Sequence, residues 1–186
     1  MEGFPAGTLA GAGSFRCGRC GFGIALHERD LVPECPSCGH SRFARASLFG
    51  PLPDAGEAQP VTETPAWLDS AREALTISGD YLAFDDGGRV RVVPLQHGWT
   101  RIGRSLSAHV RFDDPTVSRR HAMLYRDATR ARVLDDRSLN GVFRNGSRVD
   151  LEDLRDGDEI AVGRFHLYFL KVAAERSAAE VGSAAG

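Results

Sequence analysis

The sequence predicts an all-β protein: a β-sandwich of ordinary domain size, preceded by a small Cys-bearing module and an acidic linker. Three observations carry this. From residue 80 onward, short β-branched and aromatic runs alternate with Gly, Asn and Asp at the even spacing of a sandwich. All four Cys fall within residues 14–49, in two Cys-x-x-Cys pairs. Residues 50–79 hold Pro51, Pro53, Pro60 and Pro65 and carry five acids against Arg72 alone.

The first module is expected over residues 14–49. Cys17-Gly18-Arg19-Cys20 and Cys35-Pro36-Ser37-Cys38 are separated by 14 residues, and Gly21 and Gly39 follow them. Two residues between thiolates let both sulfurs of a tight turn face one ion, and the following glycine permits the bend. Two such turns complete a tetrahedral site of Cys17, Cys20, Cys35 and Cys38. So short a segment buries too little apolar surface to fold unaided, so a metal ion must supply the missing free energy. His27 and His40 read as exposed polar residues, since four Cys already fill the coordination. Phe22, Phe43 and Phe49 read as core in so small a unit, with base stacking as the rarer use.

The linker, residues 50–79, includes a stretch at 66–75 compatible with a helix of about two turns. Pro60-Val61-Thr62-Glu63-Thr64-Pro65 reads as solvated chain in which Thr62 and Thr64 are candidate phosphosites. Treated as flexible coil, the residues from Thr64 to Asp80 would span on the order of 22 Å, enough to return a modified threonine to the following domain.

The sandwich is expected over residues 80–172. Strands are predicted near residues 81–84, 90–95, 100–102, 110–112, 122–125, 132–134, 142–143, 159–162 and 165–171. Asp86-Gly87-Gly88 and Asn145-Gly146 supply hairpin turns, because these residues tolerate positive φ. Phe165 to Leu170 is apolar on nearly both faces and belongs in the middle of a core. Residues 173–186, rich in Ala and Ser, offer nothing to pack and read as a disordered tail.

Charge and composition narrow the function. The net charge of −2 gives no general reason to bind nucleic acid. Five Arg in the Cys module are offset by its acids and by four thiolates with a divalent ion, which weakens the case for phosphate-backbone binding. The sequence has no apolar run of membrane-spanning length and no basic, apolar leader, so a cytoplasmic protein with reduced Cys is expected.

Four blocks recur in order between residues 102 and 163: Ile102-Gly103-Arg104-Ser105; Pro115-Thr116-Val117-Ser118-Arg119-Arg120-His121-Ala122; Asp135 to Gly146 with Ser138-Leu139-Asn140-Gly141 at its centre; and Leu154 to Gly163. In this register they resemble a forkhead-associated (FHA) domain, and with their flanking strands they cover about 80–172. The Cys module resembles a zinc ribbon, and its Cys-Pro-x-Cys-Gly knuckle also resembles the rubredoxin-type module. The first resemblance implies structural zinc, one ion on four Cys. The second implies iron and electron transfer.

The FHA resemblance implies a phosphothreonine-binding sandwich whose loops gather at one end. It implies that Arg104 and Ser118 contact the phosphate and that Arg119 offers its amide, with its guanidinium a secondary candidate. Asn140 would bond the peptide main chain, and Ser138 would order its loop and line the pocket for the threonine methyl. His121 would be a structural strut, and Gly103 and Gly141 would give backbone room. Thr116 departs from the pattern where some members carry a second Arg. Asp135 and Asp136 read as turn residues, since no nucleophile or open metal site accompanies them.

The function expected is a non-enzymatic adaptor in bacterial Ser/Thr kinase signalling. Its partner would be a Thr-phosphorylated protein or peptide, and a Ser/Thr protein kinase is a further possible partner. The ribbon would supply a second interaction surface. A nucleic-acid or transcription-associated protein working through the ribbon, and a rubredoxin-like iron carrier, are the alternatives.

Overall fold

The structure, a computed structural model, describes residues 3–46 and 64–173. Strands β1 (Phe4–Pro5), β2 (Gly13–Cys17), β3 (Gly23–Leu26) and β4 (Arg42–Arg45) form an antiparallel sheet in the order β1-β4-β2-β3. Its small core is Phe15, Ile24, Leu26, Val32 and Phe43 with Cys17 and Cys35. The module therefore starts earlier than residue 14. Phe4 pairs with Phe43 across β1 and β4 and meets Phe15 edge-on at 5.4 Å. A two-residue strand carries no periodicity, so the sequence gives no sign of it. Phe43 is core as expected and Phe22 packs against that core, while Phe49 lies outside the described residues.

Helix α1 (Ala66–Glu73) is two residues shorter at its C-terminus than the stretch read from sequence. Pro65 precedes it, where a fixed φ and a missing N–H cost nothing. Leu68 is buried, Trp67 meets Tyr168 edge-on at 5.6 Å, and Arg72 forms a bidentate pair with Asp156 at 2.9 and 3.0 Å. This docking overturns the flexible-coil estimate of reach, because most of the segment from Thr64 to Asp80 is fixed. Thr64 is exposed just ahead of the helix, and Thr62 lies outside the described residues.

Two further sheets build the sandwich. Strands β5 (Gly79–Asp85), β6 (Val90–Pro94), β7 (Gly98–Gly103), β8 (Val110–Arg111), β9 (Ala122–Arg126) and β10 (Ala131–Asp135) are followed by β11 (Val142–Arg144), β12 (Ser147–Val149), β13 (Leu151–Leu154), β14 (Glu159–Val162) and β15 (Phe165–Val172). One sheet has the order β12-β11-β14-β15-β5-β6 and the other β13-β10-β9-β7-β8. All pairings are antiparallel except β7 with β8. Leu82, Phe84, Ile102, Leu124, Val133, Ile160, Leu167 and Phe169 fill the shared core.

The nearly two-sided apolar β15 has a direct cause. Leu167 and Phe169 face the sandwich core, whereas Tyr168 and Leu170 join Tyr81, Ala83 and Leu68 under α1. Each predicted strand is present within about two residues of its expected ends. Strands β12 and β13 were not legible, because their exposed, charged residues show neither alternation nor an apolar run. The Asn145-Gly146 turn has φ of 49° and 80°, as a two-residue hairpin requires. No helix among the described residues is long and apolar enough to cross a membrane.

Candidate functional site

The connections β7–β8, β8–β9 and β10–β11 meet at one end of the sandwich and carry every residue of the expected phosphopeptide site. Backbone bonds fasten the first two: the Arg104 amide donates to the Ser118 carbonyl at 3.0 Å and the Ser105 amide to the Arg119 carbonyl at 3.1 Å. Gly103 makes this approach possible, since a Cβ there would press into the Arg119 carbonyl oxygen.

His121 ties in the third connection. It is fully buried; its Nδ1 accepts from the Ser118 amide at 3.0 Å, and its Nε2 donates to the Gly141 carbonyl at 3.2 Å. Only the neutral Nε2–H tautomer satisfies both bonds. Burial pushes its pKa down to about 4, so the ring stays neutral at physiological pH. His121 thus bridges the Ser118 loop and the Gly141 turn.

Ser138 is equally constrained. Its hydroxyl donates to Asp135 at 3.0 Å and accepts from the Gly141 amide at 2.8 Å, while its own amide bonds the other Asp135 oxygen. Gly141 has a φ of 92° and sits against Arg148, so a larger residue there meets both strain and a clash. Asp136 forms a bidentate pair with Arg120 at 2.7 and 2.8 Å. Asp135 is thus the last residue of β10, its carboxylate holding the loop that follows, and Asp136 is an ion-pair partner, so neither is the simple turn residue read from sequence. Thr116 is buried, bonded through its hydroxyl to Asp114 and to the Arg164 amide, which makes it an internal brace of its loop.

The Ser118 hydroxyl accepts from the Leu139 amide at 2.9 Å, leaving its proton free to be donated. Arg119 is exposed on the same loop. Arg104 and Asn140, by contrast, are buried, at 6% exposure each. What covers them is the Cys module.

The Asn140 side chain holds the main chain of Gly23 at both ends, accepting from its amide at 2.7 Å and donating to its carbonyl at 2.8 Å. The Ala25 amide donates to the Pro115 carbonyl at 2.7 Å. Arg104 donates through Nη1 to the Ala25 carbonyl and through Nη2 to Asp30 Oδ2 at 2.8 Å. Burial alone would raise the Asp30 carboxyl, but the His27 amide and the Arg104 guanidinium outweigh it and hold it below its ordinary value. The loops therefore grip an extended strand by its main chain and a carboxylate by its charge. Gly23, Ala25 and Asp30 were missed from sequence. They lie 74 to 117 residues from their partners, and no local pattern marks them.

The four Cys converge as expected. Their sulfurs all lie within 4.8 Å of one another, with Cys17–Cys38 at 3.6 Å and Cys20–Cys35 at 3.5 Å. A tetrahedral ion with metal–sulfur bonds of about 2.3 Å places its sulfurs about 3.8 Å apart, so the set fits one divalent metal. Gly21 and Gly39, at φ of 75° and 68°, donate to the Cys17 and Cys35 carbonyls and close the two knuckles. The clustered sulfurs share their protons unevenly: burial would raise the Cys20 thiol, yet the Phe22 amide and the neighbouring sulfurs bring it down to about 7, whereas Cys35, by burial, and Cys38 are pushed up.

Comparison with known proteins agrees with both modules. Residues 100–163 match the FHA domain, and residues 1–47 match a zinc-ribbon containing domain. An oxoglutarate dehydrogenase inhibitor of Corynebacterium diphtheriae is 33% identical over 114 residues, 56% of this chain and 80% of that protein. The glycogen accumulation regulator GarA of Mycolicibacterium smegmatis is 42% identical over 71 residues, 38% of this chain and 45% of GarA. The chain thus spans about half the length of the GarA relatives it matches. A solved structure from work on phosphothreonine-dependent FHA domain interactions is 34% identical, covering 52% of this chain and all of that one, with a TM-score of 0.48.

Proposed function

The chain belongs to the FHA-domain family, and from that premise we propose that it is a non-enzymatic adaptor that binds phosphothreonine on a partner protein. The observation that supports this best is what the converging loops already do: Arg104 holds an anion while Asn140 holds an extended main chain beside it. A phosphothreonine peptide presents the same two features with more charge and a third acceptor oxygen. In this reading Arg104 and the Ser118 hydroxyl bind the phosphate, and Arg119 adds its amide and guanidinium. Asn140 fixes the peptide backbone, Ser138 shapes the loop beside the threonine, and His121, Gly103 and Gly141 hold the loops in register.

The ribbon's four Cys hold one zinc ion, whose contribution is structural. Thr64 and Thr62 are the sites at which a Ser/Thr kinase would act on the chain itself. The ribbon and the sandwich are separate modules, with α1 belonging to the sandwich side and the sandwich opening at Gly79. The test is titration of the chain with a pool of phosphothreonine peptides and the same pool unphosphorylated. Preference for the phosphorylated pool, lost in Arg104→Ala, is the expected result. Equal binding of both pools overturns the reading.

A further inference from the structure

We infer that the ribbon is a built-in competitor for the phosphothreonine site, with strand β3 lying where a bound peptide's main chain would lie and Asp30 standing in for its phosphate. The inference rests on the phosphothreonine reading and adds the regulation of that site. Its basis is the identity of the residues engaged. The ribbon takes the guanidinium of Arg104 and both polar atoms of Asn140, the groups that the phosphothreonine reading assigns to the phosphate and to the peptide main chain. The side chain of Arg104 is left only 5% exposed, so no phosphate reaches it until the ribbon moves.

The fit is shaped for close approach. A Cβ at Gly23 would stand 2.6 Å from Leu139 Cγ and Cδ2 and 3.0 Å from Asn140 Oδ1. Gly23 has no positive φ, so its backbone would accept any residue, and the close contact with Leu139 and Asn140 is what requires glycine. The fit is also incomplete, which makes the ribbon displaceable. Asp30 commits one oxygen to both Arg104 and the His27 amide, and Arg104 Nε, buried, has no hydrogen bond and only the Asp113 carboxylate at 3.8 Å beside it. A phosphate has three oxygens and close to two charges to offer the same group. Residues 23 to 30 lie between the two Cys pairs, so the bound metal fixes both ends of the inhibitory finger. Loss of the metal then frees the site.

The experiment uses the full chain. A fluorescent phosphothreonine peptide pool and its unphosphorylated counterpart are titrated into the parent, Asp30→Asn and Gly23→Val. Metal content and amide hydrogen exchange at Gly23 and Ala25 are measured alongside. Asp30→Asn removes the charge while keeping an acceptor for the His27 amide. Gly23→Val places its side chain against Leu139 and leaves the Cys ligands alone.

The inference predicts unchanged metal content, faster exchange at Gly23 and Ala25, and phosphopeptide affinity higher by about ten- to a hundredfold in both variants. Adding Arg104→Ala to Gly23→Val abolishes that gain. Equal affinity in the parent and both variants overturns the competition and leaves the phosphothreonine reading intact. Variants that expose Gly23 and Ala25 to exchange but bind neither pool overturn the phosphothreonine reading itself, and the inferred regulation with it.

Discussion

His121 gives the account a prediction with a definite sign. Its ordinary pKa of 6.5 falls to about 4 in the folded protein because burial disfavours the cation. Above pH 6.5 neither the folded nor the unfolded chain carries the proton, and the stabilisation is complete. As pH falls below 6.5 the unfolded chain gains a proton that the folded chain refuses, so stability is lost progressively until about pH 4. At about 1.4 kcal/mol per factor of ten, the interval is worth roughly 3 kcal/mol. His121→Gln removes the titration. At pH 7 the variant is less stable than the parent by about 1–3 kcal/mol, because the Ser118 and Gly141 groups lose their shared partner. Urea unfolding followed by tryptophan fluorescence, from pH 7 to pH 4, measures both proteins. The other titrating groups are common to both and cancel in the difference, which should move by roughly 3 kcal/mol in the variant's favour across that range, so that by pH 4 the parent's advantage is gone or reversed. A difference that stays constant with pH refutes the buried neutral strut.

Gly103→Ala forces the Arg119 carbonyl away from β7, costing about 1–3 kcal/mol in denaturant unfolding and weakening phosphopeptide binding; wild-type stability contradicts the tight crossing. In the Gly23→Val background, Arg104→Ala should cost about 2–5 kcal/mol of phosphopeptide binding and Ser118→Ala about 1 kcal/mol, measured by calorimetry. The reverse order contradicts the assignment. In the parent the Arg104 effect is smaller, because the same change also loosens the ribbon. Chelation of the metal at neutral pH should unfold the ribbon, shown by rapid titration of all four thiols, and raise phosphopeptide affinity; thiols that stay protected show that the metal does not hold the module.

Much of this was legible in the sequence because it is encoded locally. The Cys-x-x-Cys-Gly knuckles, the Asn145-Gly146 turn and the doubly apolar β15 each announce themselves within a few residues. The FHA blocks are local too, and they place Arg104, Ser118, Ser138 and Asn140 on connections that converge at one end of the sandwich. What was not legible depends on contacts across the chain. The strand at Phe4 exists only because Phe43 pairs with it, and β12 and β13 are charged edges without a pattern. The docking of α1 removed the flexible reach that linker composition suggested. Above all, the pairing of Asp30 with Arg104 and of Gly23 with Asn140 joins residues that sequence read separately, one set as metal scaffold and the other as ligand site.

The central claim is that one rim of the sandwich receives either the ribbon or a phosphothreonine peptide. Amide exchange at Ala25, whose N–H is held by the Pro115 carbonyl, reports directly on which is present. Saturating the full chain with phosphorylated peptide should speed that exchange, and the unphosphorylated peptide should leave it unchanged. A phosphopeptide that binds tightly while Ala25 remains protected would show that it sits elsewhere, contrary to the account.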